Sequence, residues 1–425
     1  MKLILINLFL FIIHSFELQK NDEELFIDFI VKYNKHYSTE IEEEERFGIF
    51  RKNLETIREL NNQRTSSTDA YHDINEYSDL LDYELPVNTI TNLPFTILPN
   101  ENETIFQTLK EDKWWNEIPY LPEGNTLPEN HAYCGEYVNR NTDRPKIDFC
   151  GEVVSQGQCS CCWATSLVNL AQYLYSNLTY ERFGCIRTPP VFTPQRFMDV
   201  ARTKATKRCC GGNPKDAMDA IPSFSFNNDY PFVDSSNRNK CDIRGDQNPN
   251  VQIQMTITEY KTFGISSDKD MVTILKKLLH HYGPFLVSVK VGGTHFNSYS
   301  GGIFEFPNGK ICDTSSPSFM TDHEVVLMGW GKEDGIEYFI IRNSWAKGWG
   351  ESDNYMRIKT TNLCGIGWRI GDNVYPLNMI VFAHSCKFDI HCIECDINTN
   401  KCITCENGYY LNSHNICKQK EVYSI

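Results

Sequence analysis

Four side chains of this 425-residue chain have the types and local settings to act together on a carbonyl carbon. Gln156 stands six residues before Cys162, in the run Gln156-Gly157-Gln158-Cys159-Ser160-Cys161-Cys162-Trp163. His323 opens an apolar run, His323-Glu324-Val325-Val326-Leu327-Met328, and Asn343 sits beside Trp345 in Arg342-Asn343-Ser344-Trp345. These are a thiol nucleophile, its base, a group that orients the base, and an oxyanion donor. A free thiol is only about a few per cent ionised at neutral pH, so it needs help. After Cys162, Leu167, Leu170, Ala171 and Leu174 recur at helical spacing, which predicts a helix whose positive end faces the sulfur. His323 would pair with the thiolate and then protonate the leaving amine. Asn343 would hold the imidazole in orientation, and Trp345 would keep water off that hydrogen bond. Gln156 and the Cys162 backbone N–H would stabilise the developing negative charge.

Those residues need elements to hold them. From Cys162 to about 239 the periodicity is helical, with further helices expected at 197–205 and 216–221. Beyond Val251 it is mostly strand, at 284–291, 324–330, 338–342 and 355–359, interrupted by a helix at 268–281. A helical lobe carrying Cys162 thus faces a β lobe carrying His323 and Asn343, with the site in the cleft between them.

The order and spacing of these motifs over roughly 145–380 resemble the papain-like cysteine peptidases. The resemblance implies an α+β fold of two lobes, one helical and one β-barrel-like. It implies peptide hydrolysis through a Cys162–His323 thiolate–imidazolium pair and an acyl-enzyme, with no cofactor and no metal ion. It places Gly211, Gly212, Asp322, Glu324, Trp345 and Arg369 along the substrate, and disulfides at Cys159–Cys209 and Cys312–Cys364. Cys241 also falls at a family bridge position, but its usual partner position is Val200, which makes Cys185 the substitute partner. Pairing among Cys134, Cys150, Cys161 and Cys210 stays open. The chain departs from the family at Ser160-Cys161 in place of Gly-Ser, at Cys210 before the glycine pair, and at Glu324 in place of a small residue. Cys161 offers an adjacent thiol, but Cys162 has the spacing and is followed by Trp163. If Glu324 and Arg369 pair, the second substrate pocket is small and polar. His280-His281 falls on a helix with no disulfide loop around it, which argues against the paired histidines of carboxydipeptidase relatives and for two surface residues.

Upstream, Glu42, Arg46, Phe50, Asn53, Ile57 and Asn61 line an amphipathic helix. Their spacing resembles the signature of cathepsin-L-type propeptides, as does Asp73-x-Asn75-x-Tyr77-x-Asp79, with Asp73 for Gly and Tyr77 for Phe. The implied organisation is a signal peptide at 1–16, an inhibitory prodomain at 20–85, a linker and maturation region at 86–145, the peptidase at 146–382 and a cysteine-rich tail at 383–420. The apolar run from Leu3 to Ile13 is too short to span a bilayer, and no later stretch is long enough. Asn102 and Asn177 head glycosylation sequons.

The chain holds 17 cysteines. Six of them, Cys386, Cys392, Cys395, Cys402, Cys405 and Cys417, fall in a tail too poor in apolar residues to form a core. The tail resembles furin-like and growth-factor-receptor repeats, and an oxidising compartment favours disulfides there over a zinc site. A net charge of −14 argues against nucleic acid as partner. The partners expected are protein or peptide substrates and the chain's own prodomain, with no transmembrane anchor and a monomeric state. The implied function is a zymogen of a secreted or lysosomal endopeptidase. The competing class is an inactive homologue that binds or adheres through its tail.

Overall fold

The computed structural model describes residues 20–87, 127–186, 189–201, 206–233, 241, 251–265, 271–291, 293–307, 312–313, 319–368, 378–387, 389, 391–396 and 401–420. The expected signal peptide, Asn102 and Arg369 lie outside them. Two compact units form. One runs to Leu85 and includes Gly293–Ser300; the other holds the rest.

In the first unit, α1 (Asp22–Lys32) starts at a capping box. Asn21 Oδ1 accepts the Glu24 N–H at 2.9 Å, and the Glu24 carboxylate accepts the Asn21 N–H at 3.2 Å. α2 (Glu40–Asn62) is capped by Thr39, whose hydroxyl accepts the Glu42 N–H at 3.1 Å. One stripe of α2 is apolar: Phe50 and Leu54 pack on Leu25, Phe26 and Phe29, with Phe50 5.0 Å from the Phe29 ring. Burying each such side chain stabilises by about 1.5–3 kcal/mol. The neighbouring polar stripe holds the returning chain. Arg46 grips the Glu84 carboxylate with both nitrogens at 2.6 and 3.0 Å. Asn53 donates to the Ser78 and Leu80 carbonyls, and Asn61 brackets the His72 backbone. Asp79 accepts from Lys35 and Tyr37. Through this frame Asn75 donates to the Asn297 carbonyl at 2.6 Å, Asp73 N–H to the Ser298 carbonyl at 2.8 Å, and His72 Nδ1 meets the Ser298 hydroxyl at 3.0 Å.

The second unit is built on α3 (Cys162–Phe183) and a nine-stranded sheet. α3 is buried on nearly every face of its first three turns, so its sequence there is mostly apolar or small, and its buried amides Asn169 and Gln172 are hydrogen-bonded to the Val154 and Glu152 backbone. It ends at Gly184, φ 67°, a left-handed cap that favours glycine. Short helices α4 (Gln195–Val200) and α5 (Pro214–Ala220) accompany it, and α6 (Met271–Tyr282) lies between strands in sequence. The first of these stops at Val200, short of the expected 205, and the residues at 202–205 lie outside those described.

The strands are β1 (His131–Ala132), β2 (Ser223–Phe224), β3 (Met255–Phe263), β4 (Phe285–Val289), β5 (Ile303–Phe304), β6 (His323–Glu333), β7 (Ile336–Arg342), β8 (Tyr355–Lys359) and β9 (Asn378–His384). Their order is β2-β3-β9-β4-β6-β7-β8-β5, with β1 also on β6. The path is open at both ends among the described residues, so the expected barrel-like lobe is a sheet that does not close. β6 and β7 join through Asp334-Gly335, both at positive φ (49° and 82°), the geometry of a tight hairpin turn. The β4–β6 register sets Val289 opposite His323 and Ser288 opposite Glu324. Arg342, 1% exposed, ends β7 and ties the sheet to α3 through Gln172 Oε1 at 2.7 Å.

Disulfides join Cys134–Cys150, Cys159–Cys209, Cys210–Cys241 and Cys312–Cys364. Cys241 therefore pairs with Cys210, not Cys185, which is an exposed free thiol. Cys209 and Cys210 are adjacent, so one chain segment receives two bridges. The tail carries Cys386–Cys395, Cys392–Cys402 and Cys405–Cys417 and forms two small hairpins, β10 (Cys392–Asp396) with β11 (Lys401–Cys405) and β12 (Tyr409–Leu411) with β13 (Cys417–Gln419), which the last bridge links. Its interior is these cystines with Tyr409 and Leu411 packed on them.

Candidate active site

Cys162 is the first residue of α3 and fully buried. The N–H groups of a first helical turn lack partners within the helix, so the sulfur sits at a site of positive potential. Backbone groups of Glu324 and Trp163 hydrogen-bond the thiol, which brings the start of β6 to the start of α3. His323 begins β6, and its Nε2 meets Asn343 Oδ1 at 2.7 Å. Trp345 is buried with its ring 5.4 Å from the imidazole, and Trp349 packs on it at 5.2 Å. Two indoles thus keep water off the His–Asn hydrogen bond.

Gln156 is fully buried. Its amide nitrogen donates to the Cys159 carbonyl at 2.9 Å and to the Pro86 carbonyl at 2.7 Å. Its carbonyl oxygen accepts from the Ser344 hydroxyl at 2.6 Å, and its backbone N–H donates to the Ser344 carbonyl at 2.7 Å. Thr165 on α3 holds that same hydroxyl at 3.1 Å. Ser344 and Thr165 were not singled out from sequence. Ser344 fixes which end of the Gln156 amide faces outward, and its place between Asn343 and Trp345 was the available signal.

The electrostatics favour neutral groups at these positions. Burial pushes the Cys162 thiol up to about 12, the Glu324 and Asp322 charges add to this, and the Glu324 and Trp163 backbone hydrogen bonds oppose it. Burial pulls His323 down to about 4 against its bond to Asn343. Proton transfer from thiol to imidazole charges both together, and their attraction in a poorly solvated site offsets part of that burial cost. The helix N-terminus adds about 0.3–1 kcal/mol, and up to ~2 when buried.

The remaining residues take distinct positions. Asp322 accepts from Lys290 Nζ at 2.6 Å and the Val291 N–H at 2.8 Å, so its carboxylate is committed to the β4 end. Gly212 packs flat on Trp163: a Cβ there would stand 2.5 Å from Trp163 Cε2. Close approach to that indole is thus one reason for glycine, besides any role toward a peptide. Gly211 has φ 96°, which glycine alone adopts without strain. Glu324 is 8% exposed and bonded to the Ser288 hydroxyl across the β4–β6 pair, while its Oε2 has no hydrogen-bond partner among the described residues. Burial raises its carboxyl to about 8, with the Ser288 bond opposing. The expected pairing with Arg369 falls on a residue outside those described.

Residues 139–371 match the papain family cysteine protease model, and residues 26–85 match the cathepsin propeptide inhibitor domain. The chain is 26% identical to cathepsin F of Drosophila melanogaster over 78% of its own length and 47% of that protein, so it spans about half of that relative. It is 27% identical to a cathepsin L-like proteinase of Phaedon cochleariae, covering 77% of this chain and 85% of that one. Among solved structures, digestive procathepsin L2 proteinase from Tenebrio molitor larval midgut superposes with a TM-score of 0.61 at 22% identity, covering 85% of this chain and 99% of that one. The two-lobe fold, the helical N-terminal unit and the family matches carry one conclusion: the chain belongs to the papain family of cysteine proteases and carries a cathepsin propeptide inhibitor domain.

Proposed function

We propose that this chain is the latent precursor of a cysteine endopeptidase in which Cys162 is the nucleophile, His323 its proton partner, Asn343 the orienting group and Gln156 the oxyanion donor. The thiolate attacks the scissile carbonyl carbon. The charge on oxygen is taken by the Gln156 amide and the Cys162 N–H, and His323 protonates the departing amine. Water then attacks the thioester with His323 as base, releasing the acid and restoring the thiol. The bond from Gln156 to the Pro86 carbonyl supports this reading above all. A carbonyl of the chain itself engages the group that would stabilise the oxyanion, directly after the inhibitor-domain segment ends.

Residues 20–85 act as the inhibitory prodomain, 86–145 as linker and maturation region, 146–382 as the peptidase and 383–420 as the tail. The Cys134–Cys150 bridge means that a cut between them leaves the upstream piece attached to the peptidase. Gly211, Gly212, Asp322, Glu324, Trp345 and Arg369 border the bound peptide. The bridges favour an oxidising route, ending in an acidic vesicle or outside the cell. No described helix is long and apolar enough to cross a membrane. The enzyme acts as a monomer.

The test is paired substitution in the matured enzyme. Cys162→Ala abolishes cleavage of a peptide substrate, and Cys161→Ser retains most of it. The reverse pattern would overturn the assignment.

A further inference from the structure

Three side chains outside the catalytic set converge in the second unit. His131 stands on β1, Asp143 in the loop beyond it, and His280 in the last turn of α6. One ligand atom from each lies within 4.8 Å of the other two. Asp143 Oδ2 is 2.9 Å from His131 Nδ1 and 3.3 Å from His280 Nε2, and the two imidazoles are 5.1 Å apart. The arrangement is built rather than incidental to a loose surface. β1 pairs with β6 at His131–Trp330, and the imidazole stacks on that indole at 4.5 Å and 13°. The side chain of His131 is 3% exposed, while those of Asp143 and His280 are 26% exposed, so one side of the cluster meets solvent.

We infer that His131 Nδ1, Asp143 Oδ2 and His280 Nε2 are three ligands of a divalent zinc-type ion, with water as the fourth. Zinc binds imidazole nitrogen at about 2.0–2.1 Å and carboxylate oxygen at about 2.0–2.2 Å in a tetrahedron. Two ligand atoms on bonds of that length stand roughly 3.3–3.4 Å apart. The His280–Asp143 edge already has this length, and the His131–Asp143 edge opens by a few tenths of an ångström. Two imidazoles and one carboxylate suit zinc, whereas calcium and magnesium take shells of six or more oxygens.

The competing arrangement is two ordinary hydrogen bonds, each ring N–H donating to Oδ2. Two features lower the affinity of the metal site. Arg144 holds its guanidinium 3.8 Å over the Tyr133 ring, placing positive charge next to Asp143 in sequence. His131 Nε2 is buried without a hydrogen-bond partner among the described residues, so ligation through Nδ1 leaves that N–H unsatisfied there. The ion would join the 131–143 segment to α6, alongside the Cys134–Cys150 bridge, as a clamp on the segment that precedes the peptidase.

The experiment uses the full chain with Cys162→Ser, which removes the catalytic thiol as a competing ligand. After chelation and buffer exchange, Co2+ is titrated and its visible absorption read, then displaced with Zn2+. The expected result is one equivalent of Co2+ with the intense spectrum of a tetrahedral nitrogen–oxygen site, bleached by Zn2+. His280→Gln, at a half-exposed position that leaves the fold intact by circular dichroism, lowers affinity at least about tenfold. His281→Gln, on the same turn, leaves it unchanged. Absence of the tetrahedral spectrum, a thiolate charge-transfer band, or equal binding in His280→Gln would each overturn the site in favour of the hydrogen-bonded cluster.

Discussion

Replacing Glu324 by glutamine tests whether a neutral carboxyl lies beside the Cys162 sulfur. In the folded chain this carboxyl keeps its proton up to about pH 8, against 4.5 for an ordinary glutamate. Between those values the unfolded chain has released a proton that the folded chain retains. Unfolding therefore releases a proton there, and stability falls as pH rises from 4.5 to 8. The interval corresponds to at most about 5 kcal/mol. The amide of the variant would present the shape of the protonated acid, keep a group for Ser288, and carry no charge to bury. In the Cys162→Ser background, to prevent self-digestion, Glu324→Gln should leave the melting temperature unchanged at pH 4.5. By pH 8 it should raise it by several degrees, with roughly 10–20 °C as the ceiling for a unit of this size. The assay is thermal unfolding followed by near-UV circular dichroism across that pH range. A difference between the two proteins that does not change with pH would refute the reasoning. So would a lower melting temperature for the variant at pH 8, which would mean that Glu324 is ionised and paired.

Other consequences are open to measurement. Burial holds His72 down to about 4 within the first unit, against the usual 6.5. The stability it lends is complete above 6.5 and is lost as pH falls toward 4, by up to about 3 kcal/mol. His72→Gln should therefore shift precursor maturation to lower pH, read by gel as the pH of half-conversion; an unchanged or higher value argues against it. Ser344→Ala frees the Gln156 amide to rotate and should lower kcat about tenfold with little change in KM, whereas Gln156→Ala should cost about 10²–10³. Equal losses in the two would show that Ser344 does more than orient the amide.

Much of the chemistry was legible because it is written in short runs. Cys162 with Trp163 and the leucines after it announces a helix start, which the structure places at Cys162, and that local fact carries the proposal of a nucleophile there. The amphipathic stripe from Arg46 to Asn61 was legible for the same reason, although its polar half needed the structure to show that it holds the chain from His72 to Glu84. Features that depend on distant pairing were not legible. Cys210 and Cys241 are 31 residues apart, and nothing local marks them as partners. Glu324 meets Ser288 through strand register, so the expected Arg369 partner had no local check. His280 read as a surface residue on its helix, yet it is half-buried beside Asp143 and His131, where β1 pairs with β6 at Trp330. Gly293–Ser300 groups with the first unit although it lies far from it in sequence.

The central claim is that Cys162 is the activated thiol and that the N-terminal unit keeps it latent. It is tested most directly by an epoxide thiol probe with adduct mapping, before and after acid maturation. Cys185, an exposed free thiol, serves as the internal standard for ordinary reactivity with a general thiol reagent. The account predicts an epoxide adduct on Cys162 alone in the matured enzyme and none in the precursor. An adduct on Cys161, or equal labelling of Cys162 in precursor and matured enzyme, would contradict it.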